Sequence, residues 1–122
     1  MMALRKVIAV IDDDASILQA MRRMLSSLGY DAELYATAEQ FIDAAMNSQA
    51  GCLLLDINLP DISGIELVRH LSAMGLVFPV IFMTASEQTH IKTQAHELGC
   101  VAYLSKPFSQ DQVIEAIKDA IG

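Results

Sequence analysis

The apolar positions of this chain fall into five short runs with the pattern of β-strands. These runs cover residues 6–11, 32–36, 52–56, 79–84 and 101–105. The first, third and fourth runs are apolar at nearly every position, which is typical of parallel strands covered by helices on both faces. The second run alternates apolar and polar residues, so we expect it at an edge of the sheet.

Five further segments have the apolar spacing of amphipathic helices. The first has its apolar residues between 17 and 28, and the second and fifth begin at capping-box sequences that start with Thr37 and Ser109. The third is predicted over 64–74 and the fourth over 87–98. The apolar stripe of the fourth is thin, so we expect this helix to be the least firmly packed.

Strict alternation of strands and helices predicts a doubly wound α/β fold with five parallel strands and five helices. The usual strand order of such a flavodoxin-like fold is 2-1-3-4-5, which places the first and third strands side by side. Ligands bind beyond the carboxyl ends of the strands at this switch point. We expect residues 1–122 to form one domain.

Polar residues stand where four of the predicted strands end. Asp12 and Asp13 follow the first strand, Asp56 ends the third, Thr84 ends the fourth, and Lys106 follows the fifth. Close carboxylates repel one another by roughly 4 kcal/mol per pair at an effective dielectric constant of about 20, which favours a hard cation such as Mg²⁺. A cation, a hydroxyl and an ammonium group around one carboxylate also suit phosphoryl transfer to it. Asp56 is the best candidate acceptor because it stands alone at the centre of the group.

The motifs "VIDDD", "LLLDINLPDISG", "FMTAS" and "YLSKPF", in this order, resemble the receiver domain of two-component response regulators over essentially the whole chain. This resemblance implies that Asp56 accepts a phosphoryl group from a phosphohistidine on a sensor histidine kinase or phosphotransfer protein. It also implies that Mg²⁺ is bound directly by Asp13, Asp56 and the backbone carbonyl of Asn58, while Asp12 contributes through water.

The same resemblance assigns the residues of a switch. Thr84 would hydrogen-bond the phosphoryl group, and Lys106 would form an ion pair with it. Tyr103 matches the aromatic residue that changes rotamer on activation, and the Lys106–Pro107 bond resembles the family's cis peptide. Asn58 and Ser86 fall where the family tunes the lifetime of the phosphorylated state. Activation would reshape the surface formed by the fourth helix, fifth strand and fifth helix, which would control an output domain, a target or a homodimer.

Composition narrows the functional classes. Eight Lys and Arg against fifteen Asp and Glu give a formal net charge of −7, so we do not expect this chain to bind nucleic acid directly. Its longest apolar run and its N-terminus fit neither a bilayer span nor a signal peptide, so we expect a cytoplasmic protein without membrane association. Cys52 and Cys100 are expected to be buried free thiols, and the three histidines to lie on the surface.

Three alternatives remain. The spacing D-x-D-x-S from Asp12 to Ser16 is similar to the nucleophile motif of haloacid-dehalogenase-type phosphatases, with Asp12 phosphorylated and Asp14 as general acid. Asp14 is also expected to cap the first helix. A flavodoxin-like cofactor carrier would need a phosphate-binding loop where this chain has acids. A degenerate receiver would act only as a binding module. A functional receiver would not be a dedicated enzyme, because it catalyses only its own phosphotransfer and dephosphorylation.

Overall fold

A computed structural model describes residues 6–85 and 89–121, in which strands and helices alternate. The strands are β1 (Val7–Ile11), β2 (Asp31–Tyr35), β3 (Ala50–Asp56), β4 (Val80–Thr84) and β5 (Ala102–Ser105). The helices are α1 (Ala15–Ser27), α2 (Ala38–Ala45), α3 (Gly64–Ala73), α4 (Thr89–Glu97) and α5 (Gln110–Ile121). The predicted start of the fourth helix and Ser86 lie outside the described residues. Within these ranges no helix is long and apolar enough to cross a membrane.

The five strands form one parallel sheet in the order β2-β1-β3-β4-β5, which confirms the predicted topology and the edge position of β2. Ile11 of β1 pairs with Leu55 of β3. The residues that follow this pair, Asp12 and Asp56, therefore reach the carboxyl edge of the sheet side by side. The register between two neighbouring strands thus aligns the acids that the sequence separates.

Alternate strand residues face two separate cores, one on each side of the sheet. Ile11, Leu53, Leu55 and Phe82 pack with residues of α2, α3 and α4. Ile8, Val10, Leu54, Ile81 and Met83 pack with residues of α1 and α5. Full burial of each such side chain stabilises the fold by roughly 1.5–3 kcal/mol. The sheet is therefore a rigid support for groups placed at its edge.

The predicted helix caps are present. Asp14 accepts hydrogen bonds from the backbone N–H groups of Ser16 and Ile17 at the start of α1, with N–O distances of 2.9 and 3.4 Å. At α5, the Gln112 N–H donates to Ser109 Oγ at 3.1 Å and the Ser109 N–H donates to Gln112 Oε1 at 2.8 Å, a reciprocal capping box. The sequence predicts these caps correctly because each capping residue lies within three residues of the N–H group that it accepts from.

Helix α4 is the least firmly anchored helix, in agreement with its thin apolar stripe. Among residues 90–97, Ala95 has the only fully buried side chain, and Ile91 is partly buried against the same core. His90 and His96 are exposed on this helix, as is His70 on α3, which agrees with their predicted surface positions. Few buried groups therefore resist a displacement of α4.

The two thiols differ in burial, which corrects one prediction. Cys52 lies fully buried in β3, and burial raises its pKa to about 12. Cys100 is only half-buried before β5, although burial raises its pKa as well. The strand pattern predicted burial for both, but Cys100 precedes β5, an edge strand of the sheet, and stays partly exposed.

We expect this difference to appear in thiol labelling of the native protein at about pH 8, because the thiolate is the reactive form. Cys52 should react with a disulfide reagent at least about 100-fold more slowly than in the denatured chain. Cys100 should react before Cys52, and a Cys52→Ser variant assigns the two phases. Rapid and equal labelling of both thiols in the native protein would contradict the described burial.

Candidate functional site

Three carboxylates meet at the carboxyl edge of the sheet. Asp12, directly after β1, is fully buried, and Asp56, the last residue of β3, is 5% exposed. Asp13 is exposed beside them. One carboxylate oxygen from each of the three lies within 4.8 Å of the others. The structure therefore brings together the three acids that the sequence places after two different strands.

Lys106, which follows β5, connects the two buried acids. Its Nζ lies 2.9 Å from Asp12 Oδ2 and 3.2 Å from Asp56 Oδ2. The other carboxylate oxygens accept backbone hydrogen bonds: Asp12 Oδ1 from the Asp14 N–H and Asp56 Oδ1 from the Asn58 N–H, each at 2.9 Å. All four oxygens of the buried pair thus have partners, as burial of charged groups requires.

One ammonium group facing two buried carboxylates leaves excess negative charge at the site. Burial raises the pKa of Asp56, and the charge of Asp12 adds to this effect, whereas the Asn58 N–H and Lys106 oppose it. Burial disfavours the charged form of Lys106, but its contacts with Asp12 and Asp56 outweigh this cost and raise its pKa. The site therefore favours an additional cation.

The residues present fit a magnesium ion. The cluster of Asp12, Asp13 and Asp56 offers only carboxylate oxygens, the donors that hard divalent cations prefer. Asp13 and Asn58 also line an open cavity of about 330 Å³, which has room for the waters that Mg²⁺ retains. The donor chemistry and the solvent access point to the same class of ion.

Thr84 and Tyr103 lie next to this cluster. Thr84 is 1% exposed at the end of β4, and its backbone carbonyl accepts a hydrogen bond from the Lys106 N–H at 2.7 Å. The hydroxyl oxygen of Tyr103 is buried, and no described group near it meets the geometric criteria for a hydrogen bond. Burial raises the pKa of this phenol, and the nearby Thr84 side chain opposes the rise. The Lys106–Pro107 bond is cis, as the resemblance implies.

Gly64 allows the loop after β3 to return tightly against the strand. Its N–H donates to the carbonyl of Ile57 at 2.8 Å. A Cβ atom at this position would lie 2.6 Å from the Asp56 backbone oxygen, a distance that side chains do not tolerate. The sequence indicated Gly64 only as the start of a helix. A glycine directly after a polar loop is a sequence signal for a tight turn. That a side chain at this position would clash with the Asp56 backbone is evident only from the structure.

Asp14, the general acid of the phosphatase alternative, is already engaged in capping α1. The carboxylate of Asp14 is committed to the N-terminus of α1, where it accepts from the Ser16 hydroxyl at 2.6 Å and from two backbone N–H groups. The hydrogen bond from the Ser16 side chain is the largest of the effects that hold the pKa of Asp14 below its usual value. A general acid must hold a proton near neutral pH, so this residue suits capping instead.

Comparison with known proteins decides the family. The model of the response regulator receiver domain matches residues 8–118. The chain belongs to the response regulator receiver domain family. It is thus a signalling domain of two-component systems rather than a dedicated enzyme.

Two relatives are longer than the part of them that this chain matches. The response regulator protein TodT of Pseudomonas putida is 31% identical over 115 residues, 94% of this chain and 51% of TodT. The transcriptional regulatory protein FixJ of Bradyrhizobium diazoefficiens is 35% identical over 114 residues, 93% of this chain and 56% of FixJ. The chain therefore spans about half the length of these relatives.

Solved structures agree with the family and confirm the fold. The CheY-like receiver domain protein of Methanospirillum hungatei has a TM-score of 0.89 at 29% identity, over 97% of this chain and 94% of that one. The structure of FixJ-N has a TM-score of 0.88 at 29% identity, with the same shares covered.

We expect Gly64→Ala to destabilise the receiver by about 2–4 kcal/mol, because the added methyl group meets backbone rather than a flexible side chain. Gly51→Ala is the matched control, since its nearest contact would be Ile121 Cγ2 at an ordinary 3.4 Å. Urea unfolding measures both variants. Equal stability of the Gly64 and Gly51 variants would show that the loop relaxes without cost.

We also expect Asp56→Asn to stabilise the metal-free protein, raising its melting temperature by a few degrees at about pH 7.5. The pKa of Asp56 is higher in the folded than in the unfolded chain, so its ionisation opposes folding. The difference between variant and wild type should vanish well below about pH 4, where the carboxyl is protonated in the folded and in the unfolded chain. It should grow as pH rises from the unfolded pKa to the raised folded pKa, and stay constant above that.

Thermal unfolding over this pH range measures the effect, with Asp43→Asn, an exposed acid on α2, as the control for net charge. Added Mg²⁺ should stabilise the wild type and reduce the difference in melting temperature between the wild type and Asp56→Asn. A variant less stable than wild type at every pH would mean that Asp56 is a net stabilising partner of Lys106.

Proposed function

We propose that the chain is a phosphorylation-controlled switch whose phosphoacceptor is Asp56. The observation that carries this proposal is the meeting of Asp12, Asp13 and Asp56 with Lys106 at the end of β3. Asp56 ends the central strand of the sheet and is the only one of the three acids in a strand. A donor that approaches the carboxyl edge would therefore meet this carboxylate on a rigid support.

The phosphoryl donor would be a phosphohistidine of a sensor histidine kinase or phosphotransfer protein. A carboxylate oxygen of Asp56 would form a bond to phosphorus while the phosphorus–nitrogen bond breaks, and the departing imidazole would keep the electron pair and take up a proton. Asp13, Asp56 and the Asn58 carbonyl would bind Mg²⁺, with Asp12 acting through water. The bound ion would offset the negative charge of the phosphoryl oxygens.

Lys106 and Thr84 would then respond to the acyl phosphate. Lys106 already lies at hydrogen-bond distance from Asp56, so its ammonium group would pair with the phosphoryl oxygens after little movement. The Thr84 hydroxyl would turn toward the same oxygens and away from Tyr103. Because the Tyr103 hydroxyl is already buried, the phosphoryl group would shift the occupancy of this inward position rather than create it.

The output surface would be the α4-β5-α5 face. Lys92 of α4 lies with its Nζ 6.0 Å from the centre of the Tyr103 ring of β5, so a movement of the tyrosine would reach α4 directly. The weak anchoring of α4 would allow this helix to follow. This face would control an output domain, a separate target or a homodimer. Residues 1–122 would form one cytoplasmic domain that itself binds neither nucleic acid nor membrane.

The donor protein would dock beside the acceptor, on an apolar groove between α1 and α5. This groove encloses about 500 Å³ and borders Lys106. Its apolar lining includes Ile17, Met21, Met24, Pro107, Phe108 and Val113. A partner that covers these side chains would hold its phosphohistidine next to the carboxyl edge and exclude water from the transfer.

We expect the wild type to gain one phosphoryl group on incubation with acetyl phosphate and Mg²⁺, as measured by intact mass. Asp56→Asn should gain none, because the acceptor oxygen is replaced by an amide. Asp13→Asn, which keeps the acceptor and loses a metal ligand, should react at least about tenfold more slowly. Chelation of Mg²⁺ should slow the wild type in the same way.

The outcomes separate the alternatives. Modification of both the wild type and Asp56→Asn would mean that another residue is the acceptor. No modification of the wild type, even with a phosphorylated histidine donor, would favour the degenerate receiver that acts only as a binding module. Hydrolysis of added phosphate monoesters that depends on Asp12 and not on Asp56 would favour the phosphatase alternative.

A further inference from the structure

Asp61, in the loop between β3 and α3, caps a helix far from it in sequence. Its Oδ1 accepts a hydrogen bond from the Ala38 N–H at 3.1 Å, and its Oδ2 accepts one from the Glu39 N–H at 2.9 Å. Ala38 and Glu39 are the first two residues of α2. The local cap, Thr37, accepts only from the Gln40 N–H, at 3.1 Å. The carboxylate of Asp61 thus satisfies the two donors that the local cap leaves free.

This contact matters for α2 because the helix is short. Its eight residues form a length that is marginal in isolation. A carboxylate at the N-terminus offsets both the free N–H groups and the helix dipole. Partial desolvation raises the pKa of Asp61, but the N–H groups of Glu39 and Ala38 outweigh it and the pKa is lowered. The capping group is therefore charged at neutral pH.

The same loop carries the proposed metal ligand Asn58, three residues before Asp61. The loop is fastened at its start by the Ile57 N–H, which donates to the Met83 carbonyl at 3.0 Å. It is fastened at its end by Ser63, whose Oγ accepts from the Glu66 N–H at 3.1 Å. Pro60 restricts the backbone between these points. In the middle of the loop, Leu59 and Ile62 pack against the core on the α2 and α3 side of the sheet. Asp61 adds the hydrogen bonds that tie this part of the loop to the first turn of α2.

We propose that Asp61 is a positioning residue, which holds the loop of Asn58 in place for Mg²⁺ and couples the metal site to the first turn of α2. This inference rests on the metal site of the proposed function. Coupling of binding free energies is reciprocal. If the tie to α2 orders the loop for the metal, then metal binding must in turn strengthen the hydrogen bonds of Ala38 and Glu39. A cap that serves only the stability of α2 would not respond to the metal.

The test compares Asp61→Asn with two matched controls. Thr37→Ala weakens the local cap of α2 and leaves the loop contact intact. Glu66→Gln removes another acid that lines the same cavity, and so corrects for the loss of negative charge near the ion. Isothermal titration calorimetry gives the Mg²⁺ dissociation constant of each protein. Hydrogen exchange at the Ala38 and Glu39 amides, with and without Mg²⁺, gives the reciprocal effect.

We expect Asp61→Asn to raise the Mg²⁺ dissociation constant roughly tenfold, the lower end of the effects seen for residues that orient metal ligands. The two controls should change it less than about twofold. Mg²⁺ should slow exchange of the Ala38 and Glu39 amides in the wild type and in Thr37→Ala, but not in Asp61→Asn. Circular dichroism checks that each variant is folded.

Failure of this inference is distinguishable from failure of the metal site itself. A wild type that does not bind Mg²⁺ overturns both. A wild type that binds Mg²⁺ with no slowing of the Ala38 and Glu39 amides overturns only the coupling, even if Asp61→Asn does not fold. An unchanged dissociation constant in Asp61→Asn, or an equal rise in Thr37→Ala or Glu66→Gln, also overturns the role of Asp61.

Discussion

The functional edge of this receiver depends on one ammonium group shared by two buried carboxylates. Lys106 contacts Oδ2 of both Asp12 and Asp56, and without it two negative charges would stand side by side at the end of a buried sheet. The ammonium makes this arrangement tolerable but does not neutralise it. The remaining negative charge is the physical reason that the site suits a divalent cation. In the proposed function this cation would also offset the charge of the phosphoryl group.

The three consecutive aspartates after β1 have different roles because each lies in a different environment. Asp12 is buried and pairs with Lys106, Asp13 is exposed toward the cavity, and Asp14 caps α1. The chain turns from strand to helix within these residues, so successive side chains point into different surroundings. The capping role of Asp14 is also what separates this chain from a phosphatase with a similar local motif.

The proposed switch requires a rigid site and a movable response, and the fold supplies both. Asp56 and Thr84 end central strands whose side chains are buried on both faces of the sheet. Helix α4, by contrast, is held by little buried surface, and its Lys92 lies near the Tyr103 ring. A small displacement of groups at the carboxyl edge of the sheet would therefore move α4 more easily than the other helices.

The sequence by itself determined the fold class and the residues at the carboxyl edge, and the strand order then followed from the order that is usual for this fold class. These follow from apolar periodicity, strict alternation and the handedness of crossovers, which are properties of short segments and of their succession. It also determined the caps of Asp14 and Ser109, because each lies within a few residues of the N–H groups that it accepts from.

Only the tertiary structure decided how distant segments meet. The bridge from Lys106 to two acids, the close approach at Gly64, the reach of Asp61 to α2 and the partial exposure of Cys100 all depend on the paths of loops. Each depends on where the atoms of different segments lie in space, to within about 1 Å. Periodicity carries no such information, since it specifies which face a residue occupies and not which distant atom it touches.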